Sequence, residues 1–189
     1  MKIVSVLGSP RKTGNSASIA KRFCDTAEGL GADVQTFFLN DLKYQGCQAC
    51  MGCKLEKEVC VLNDDLTEVL NAAKEADILV AASPVYMGEM TSQFKGFLDR
   101  TFSYTVPDFH SQPKTHRLDD GKKVVLVQTQ GQPDSMFGEI SQKFQFIFQL
   151  IGFEQSHVIR GCQMNMPDDA IKNEETMKQA EDAAKQLVG

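Results

Sequence analysis

Two groups of residues in this 189-residue chain have the types and spacing to do chemistry. The first is Gly8-Ser9-Pro10-Arg11-Lys12-Thr13-Gly14-Asn15-Ser16, set between an apolar run (Ile3, Val4, Val6, Leu7) and an amphipathic helical pattern. A strand that empties through a Gly/Ser/Asn-rich turn into a helix builds an anion site. The glycines let the backbone curl, successive N–H groups point inward, and the helix N-terminus carries partial positive charge. Arg11 adds a planar fork suited to phosphate oxygens. The spacing is neither Gly-x-Gly-x-x-Gly nor a Walker lysine loop, because no Gly-Lys-Ser/Thr follows. An ordinary strand-to-helix turn is the plainer alternative; the hydroxyls, amide and guanidinium packed into nine residues favour a phosphate cradle.

The second group is Cys47-x-x-Cys50-x-x-Cys53, followed by Cys60. Three thiolates in a compact array can take three corners of a cubane, with a fourth arriving from a short loop. Structural zinc more often takes two Cys-x-x-Cys pairs separated by a longer span. Redox-active or empty thiols, some of them simply small buried apolar residues, are the third alternative. Cys24, beside Phe23 on the first helix, and Cys162, after the last strand, read as packing residues. His110, His116 and His157 have no ligand or triad spacing and read as surface or hydrogen-bonding residues.

The elements that must position these groups alternate along the chain. Lys2–Leu7 reads as a strand, followed by Ile19, Ala20, Phe23, Ala27 and Leu30 at helix spacing, with Gly31 as a C-terminal stop. Val34–Leu39 is a second strand, and after the cysteine-rich loop Leu66, Val69, Leu70 and Ala73 mark a helix for Asp64 or Asp65 to cap. Ile78–Ala82 and Val124–Val127 are fully apolar strands. Met90, Phe94, Phe97, Leu98 and Phe102 stripe the helix between them. Phe137, Ile140, Phe144, Ile147 and Ile151 give another helix, Phe153–Ile159 a weaker fifth strand, and Ile171 to Leu187 a C-terminal helix.

Strands buried on both faces and separated by helices predict a parallel five-stranded sheet in a three-layer α/β sandwich, order 2-1-3-4-5. Residues 1–189 read as one domain with a cysteine-rich loop at 44–62 and a long loop at 103–122. Lys95, Asp99 and Arg100 share helix spacing and read as an exposed or interface face with an i,i+4 pair. Asp+Glu number 25 against Lys+Arg 20, which argues against a nucleic-acid binder. No apolar run approaches membrane-spanning length, and the chain starts at once with a strand pattern, so neither membrane span nor signal peptide is expected. A cytoplasmic location is the default, and cysteines there are more often metal ligands or redox thiols than a disulfide framework.

In a doubly wound sheet, ligands sit beyond the carboxyl ends of the strands. That rule selects Gly8–Ser16, Ser83–Met90 and Thr129–Asp134. Ser83-Pro84-Val85-Tyr86-Met87-Gly88 puts a Pro, an aromatic and a Gly where a strand should turn into a helix. Thr129-Gln130-Gly131-Gln132-Pro133 ends a strand with hydroxyl, amides and a flexible glycine. Three such loops on one edge point to a planar, phosphorylated ligand.

With Gly-Ser-Pro-Arg-Lys-Thr-Gly-Asn-Ser at 8–16, Ser-Pro-Val-Tyr-Met-Gly at 83–88, Phe-Lys-Gly-Phe-Leu-Asp-Arg at 94–100 and Thr-Gln-Gly at 129–131, the chain resembles the flavodoxin-like NAD(P)H-dependent FMN reductases over nearly its whole length. The resemblance implies that Ser9, Arg11, Thr13, Asn15 and Ser16 hold the FMN phosphate. It implies Pro84, Val85, Tyr86, Met87 and Gly88 along the isoalloxazine and ribityl chain, and Thr129, Gln130 and Gly131 on the other side of the ring. A flavin-sized ring does want an apolar or aromatic wall and a few backbone donors, although Tyr86 read alone is also a partly buried core tyrosine.

The cysteine spacing resembles the iron–sulfur flavoproteins of the same fold, implying a [4Fe–4S] cluster on Cys47, Cys50, Cys53 and Cys60; it lacks the Cys-x3-Cys-Pro end of the ferredoxin run. The expected function is therefore an FMN-dependent oxidoreductase or electron-transfer flavoprotein with NAD(P)H as donor, a small-molecule or protein redox partner, and the cluster as a one-electron relay. The flavin itself carries the chemistry, so no catalytic side chain is expected. The alternative is a non-catalytic FMN electron carrier or a thiol-based redox sensor without a cluster. The resemblance also implies a homodimer or homotetramer, with the 94–102 helix and the 103–122 loop as material for the contact.

Overall fold

A computed structural model describes residues 1–189. Five parallel strands, β1 (Lys2–Leu7), β2 (Asp33–Phe38), β3 (Ile78–Tyr86), β5 (Lys123–Thr129) and β6 (Gln155–Gly161), lie in the order β2-β1-β3-β5-β6. A two-residue strand β4 (Glu89–Met90) pairs antiparallel with the end of β3 and stands off this path. With β4 set aside, the order is the expected one.

The sheet's alternation explains its two cores. Val4, Val6, Leu79, Ala81, Val124 and Leu126 face a layer made by α3 (Leu66–Glu75), α4 (Ser92–Arg100) and α5 (Gly138–Leu150). Their neighbours Ile3, Ile78, Val80, Ala82, Val125 and Val127 face α1 (Asn15–Gly29), α6 (Asp169–Lys172) and α7 (Glu174–Val188). Period-two alternation with both sets apolar is what a sheet covered on each side requires. Cys24 is buried in the second core, and burial pushes its thiol up to about 11. It is a packing residue.

Several elements differ from the sequence expectation for local reasons. The strand expected at Phe153–Ile159 runs Gln155–Gly161 instead. Phe153 is fully buried because it packs edge-on to Phe148, ring centroids 5.7 Å apart, in the turn after α5. The C-terminal helix is two helices, broken at Asn173, whose side chain accepts the Thr176 N–H at 3.0 Å and starts α7 as a cap. At α3 it is Asp64 that accepts the Leu66 N–H, at 3.1 Å, while Asp65 accepts the Lys43 N–H. The cysteine loop carries a short helix α2 (Gly52–Leu55).

One correction concerns α4. Phe94 and Phe97 are fully buried and Leu98 nearly so, so its aromatic stripe belongs to the core, and a subunit contact through this helix would use its other, exposed face. Lys95 and Asp99 do form the exposed i,i+4 pair, at 2.5 Å, but Arg100 is not on that face. Its side chain is wholly buried and ion-paired with Asp64 at 2.6 Å. Helical spacing gives a residue's angle around the axis; at the last turn, the chain packed beyond the helix decides exposure.

Candidate functional site

Beyond the carboxyl ends of β1, β3 and β5 lies a cleft of about 250 Å³. It brings together Ser9, Arg11, Asn15 and Ser16 from the first loop, Pro84, Val85 and Tyr86 from the second, and Thr129, Gln130 and Gly131 from the third. Three of the expected residues do not line it. Thr13 lines a separate groove between α1 and β2. Met87 is fully exposed, and Met87 and Gly88 have φ of 49° and 79°, so they form the tight turn of the β3–β4 hairpin. The strand-to-helix loop expected there is instead an extension of β3 closed by that hairpin.

The geometry of the first loop divides its residues by task. Gly14 precedes α1 with an extended backbone and no side-chain cap, leaving the first-turn amides of the helix without a side-chain acceptor. The buried Ser9 hydroxyl accepts the Arg11 N–H at 3.1 Å and shapes the turn. Asn15 is committed elsewhere: its amide donates to the Met166 carbonyl at 2.8 Å and its oxygen accepts the Ala170 N–H at 2.9 Å. Asn15 therefore ties the segment after β6 to the start of α1. The Arg11 side chain is exposed at the cleft.

Gly14 of the first loop also lines the cleft, as do Met164, Asn165 and Pro167, which the sequence alone did not single out. The last three follow β6, and the strand-end rule applied to that strand as well would have found them. Opposite them the third loop is held by its own amides. Gln130 Nε2 donates to the carbonyls of Pro133 and Met136, both at 2.9 Å, and its oxygen accepts from Gln128 at 2.7 Å. Arg160 donates to Asp134 and to the Met136 carbonyl. Arg11 is the one charged side chain lining the cleft, and the Tyr86 phenol is the titratable group beside it.

Gly8 joins the cleft to α4. Its carbonyl accepts the Thr91 hydroxyl at 2.8 Å, Thr91 in turn accepts the Phe94 N–H, and the Thr91 N–H donates to Ser83. A Cβ on Gly8 would stand 2.7 Å from Phe94 Cβ and 3.0 Å from Thr91 Oγ1. We expect Gly8→Ala to cost about 1–3 kcal/mol by overpacking, read as a Tm lowered by about 2–4 °C per kcal/mol for a chain of this size. An unchanged melting curve would contradict this tight packing.

The four cysteines line a second, largely apolar pocket together with Arg100, Phe102 and Ser103. None of its residues lines the cleft. Ala49 and Met51, on either side of Cys50, take left-handed backbone (φ 52° and 59°), so the loop turns tightly about Cys50. Gly52 lets α2 sit on Val61, since a Cβ there would lie 2.7 Å from Val61 Cγ1; this brings Cys60 to Cys50 and Cys53. Lys54 Nζ donates to the carbonyls of Phe102 and Thr105 and to the Thr105 hydroxyl, and lies 4.1 Å from the Phe102 ring centroid. Burial pushes the Cys53 thiol up, against the lowering effect of Lys54.

No three His, Cys, Asp or Glu side chains converge on one ion position. Four thiols around a shared apolar pocket and an unpartnered buried Arg100 Nε suit a thiolate-held cage better than a single ion. The 103–122 segment touches this pocket through Ser103 and lines no part of the cleft. It is pinned by a Thr105–His116 bridge and by Arg117, which donates to the carbonyls of Ser103 and Thr105. Cys162, half-buried, lies 3.7 Å from Asp134 Oδ1, apart from the other four.

A parallel sheet in this order, with its cleft at the ends of β1, β3 and β5, defines a flavodoxin-type nucleotide-cofactor fold. The chain belongs to the flavodoxin-like fold family, whose sequence profile matches residues 1–188. An iron–sulfur flavoprotein of Archaeoglobus fulgidus is 32% identical over 142 residues, 75% of this chain and 61% of that protein. The chain spans about half to three-fifths of the length of the iron–sulfur flavoproteins it matches. An FMN-dependent NADH-azoreductase from Bacillus anthracis, solved in complex with FMN, superposes with a TM-score of 0.73 at 16% identity, covering 100% of both chains. An NAD(P)H:quinone oxidoreductase from Methanothermobacter marburgensis gives 0.76 at 15%, covering 100% of this chain and 98% of its own. No helix is long and apolar enough to cross a membrane.

Proposed function

We propose that this protein is an FMN-dependent oxidoreductase that takes electrons from NAD(P)H in a reducing, cytoplasmic compartment, with Cys47, Cys50, Cys53 and Cys60 holding a [4Fe–4S] cluster. The observation that carries the reading is the convergence of three strand-end loops on one cleft headed by an uncapped helix N-terminus. FMN supplies hydride-accepting chemistry at its N5, and the cluster would supply one-electron chemistry beside it. The chain's task is binding and orientation. The first-turn amides of α1, Arg11 and Ser16 fit a terminal phosphate; Tyr86, Val85 and Pro84 offer a wall for the ring; Thr129 and Gly131 offer backbone and hydroxyl groups to its polar edge.

A cleft of this kind suits a catalytic flavoprotein and a non-catalytic carrier alike. Anaerobic NAD(P)H oxidation by FMN-loaded protein separates them: turnover with a quinone or free flavin is expected, and a bound flavin that NAD(P)H leaves oxidised would defeat the reductase reading. The visible spectrum of the same sample should show two flavin bands plus a broad shoulder that bleaches on reduction. We also propose a homodimer or homotetramer. Exposed Tyr86, Met87, Met136 and Met166 offer apolar surface for it, alongside the exposed face of α4 and the 103–122 loop. A monomer at micromolar concentration in sedimentation, with FMN bound, would end that idea.

A further inference from the structure

Arg100 closes α4 with its side chain removed from solvent. A guanidinium has five N–H donors in a fixed plane and keeps its charge, so each buried donor needs an acceptor. Nη1 donates to both oxygens of Asp64, each at 2.6 Å, and to the Gln45 carbonyl at 3.3 Å; Nη2 donates to the Leu62 carbonyl at 3.1 Å. Gln45 stands two residues before Cys47 and Leu62 two residues after Cys60. One side chain thus gathers both ends of the cysteine-bearing segment. Asp64 extends the clasp by accepting the Gln45 N–H.

Nε remains. It is buried and has no acceptor. Buried polar groups are normally paired, and an orphaned donor on a charged group is costly enough to call for an explanation. Arg100 lines the same pocket as the four thiols. A thiol sulfur is a weak acceptor, whereas an iron-bound thiolate carries the charge a guanidinium donor wants. The other cation beside the pocket cannot serve. Lys54 already spends its three N–H donors on Phe102 and Thr105.

We infer that Arg100 is a positioning residue of the four-cysteine site: it clasps the two ends of the loop and keeps its Nε–H for a thiolate sulfur of that pocket. The inference rests on the reading that the pocket holds an iron–sulfur cluster. Reduction adds negative charge to such a centre, and hydrogen bonds to its sulfurs together with buried positive charge stabilise that charge and raise the potential. Arg100 would do both.

The test is an anaerobic redox titration of protein reconstituted with ferrous iron and sulfide, FMN-loaded, with wild type compared to R100K, R100Q and D64N. Lysine keeps the charge but has no planar fork, so R100K loses the Nε–H contact. Glutamine also loses the charge. Both should lower the midpoint potential of the cluster, R100Q by at least a tenfold change in the one-electron equilibrium, about 59 mV. R100Q should also release iron to a chelator faster. D64N weakens the same clasp but leaves Nε in place and removes a negative charge, so its potential should not fall. A merely structural role moves all variants the same way.

Equal potentials throughout, or an equal fall in R100K and D64N, overturn the inference while leaving the cluster reading intact. Wild-type protein that takes up no iron overturns the cluster reading and the inference with it. Circular dichroism and FMN titration report whether each variant is folded; if R100Q is not, R100K and D64N decide.

Discussion

Anaerobically reconstituted protein is expected to contain about four irons and four sulfides per chain, the stoichiometry of a [4Fe–4S] cluster. Alanine at any one of Cys47, Cys50, Cys53 or Cys60 should abolish or convert that centre. FMN should stay bound in all four variants, because the cysteine pocket and the strand-end cleft share no lining residue. Cys47 and Cys50 are exposed, so oxygen has access, and aerobic preparations should lose iron and show free thiols or a disulfide. Iron and sulfide analysis on the anaerobic sample, with thiol alkylation counted in parallel, makes the decision. No iron after reconstitution, with all four thiols still open to alkylation, would establish the empty-cysteine reading in its place.

Replacing Arg11 by Ala should weaken FMN binding by roughly 1–3 kcal/mol, the worth of a charge-assisted contact to a phosphate, and should leave Tm unchanged. The side chain is exposed and holds nothing else in place. Asn15→Ala should behave differently. Its amide spans from α1 to Met166 and Ala170, so the variant should lose stability, about 0.5–1.5 kcal/mol per hydrogen bond, along with affinity. The affinity loss then comes from a loosened Met164–Pro167 wall, with no direct phosphate contact removed. FAD should bind no better than FMN to a cradle shaped for a terminal monophosphate. Fluorescence titration of FMN, alongside thermal melts of each variant, distinguishes the two effects. Unchanged affinity in both variants would remove the phosphate from this loop.

The sequence by itself determined the layers, the strand order and the strand-end loops that meet. Alternation of apolar residues at 3–7, 78–82 and 124–127 is a local signal, and a sheet buried on both faces is the physical consequence. It also determined that residues 8–16 turn from a strand into a helix, since strand, turn and helix signals there lie within a few residues of each other. Tertiary structure alone decided what each polar side chain does. Asn15 lies in the phosphate-loop motif, yet its hydrogen-bonding atoms are taken by a segment some 150 residues away. Thr13 and Met87 belong to the right motifs but face elsewhere, because the turn and the β3–β4 hairpin set their direction. Arg100 shows the limit most plainly. Its helical spacing is that of an exposed pair, but the chain returning from Cys60 to Asp64 covers it and turns a surface cation into a buried clasp. Periodicity is a property of one element, whereas burial and hydrogen-bond partners depend on which distant segment packs over it.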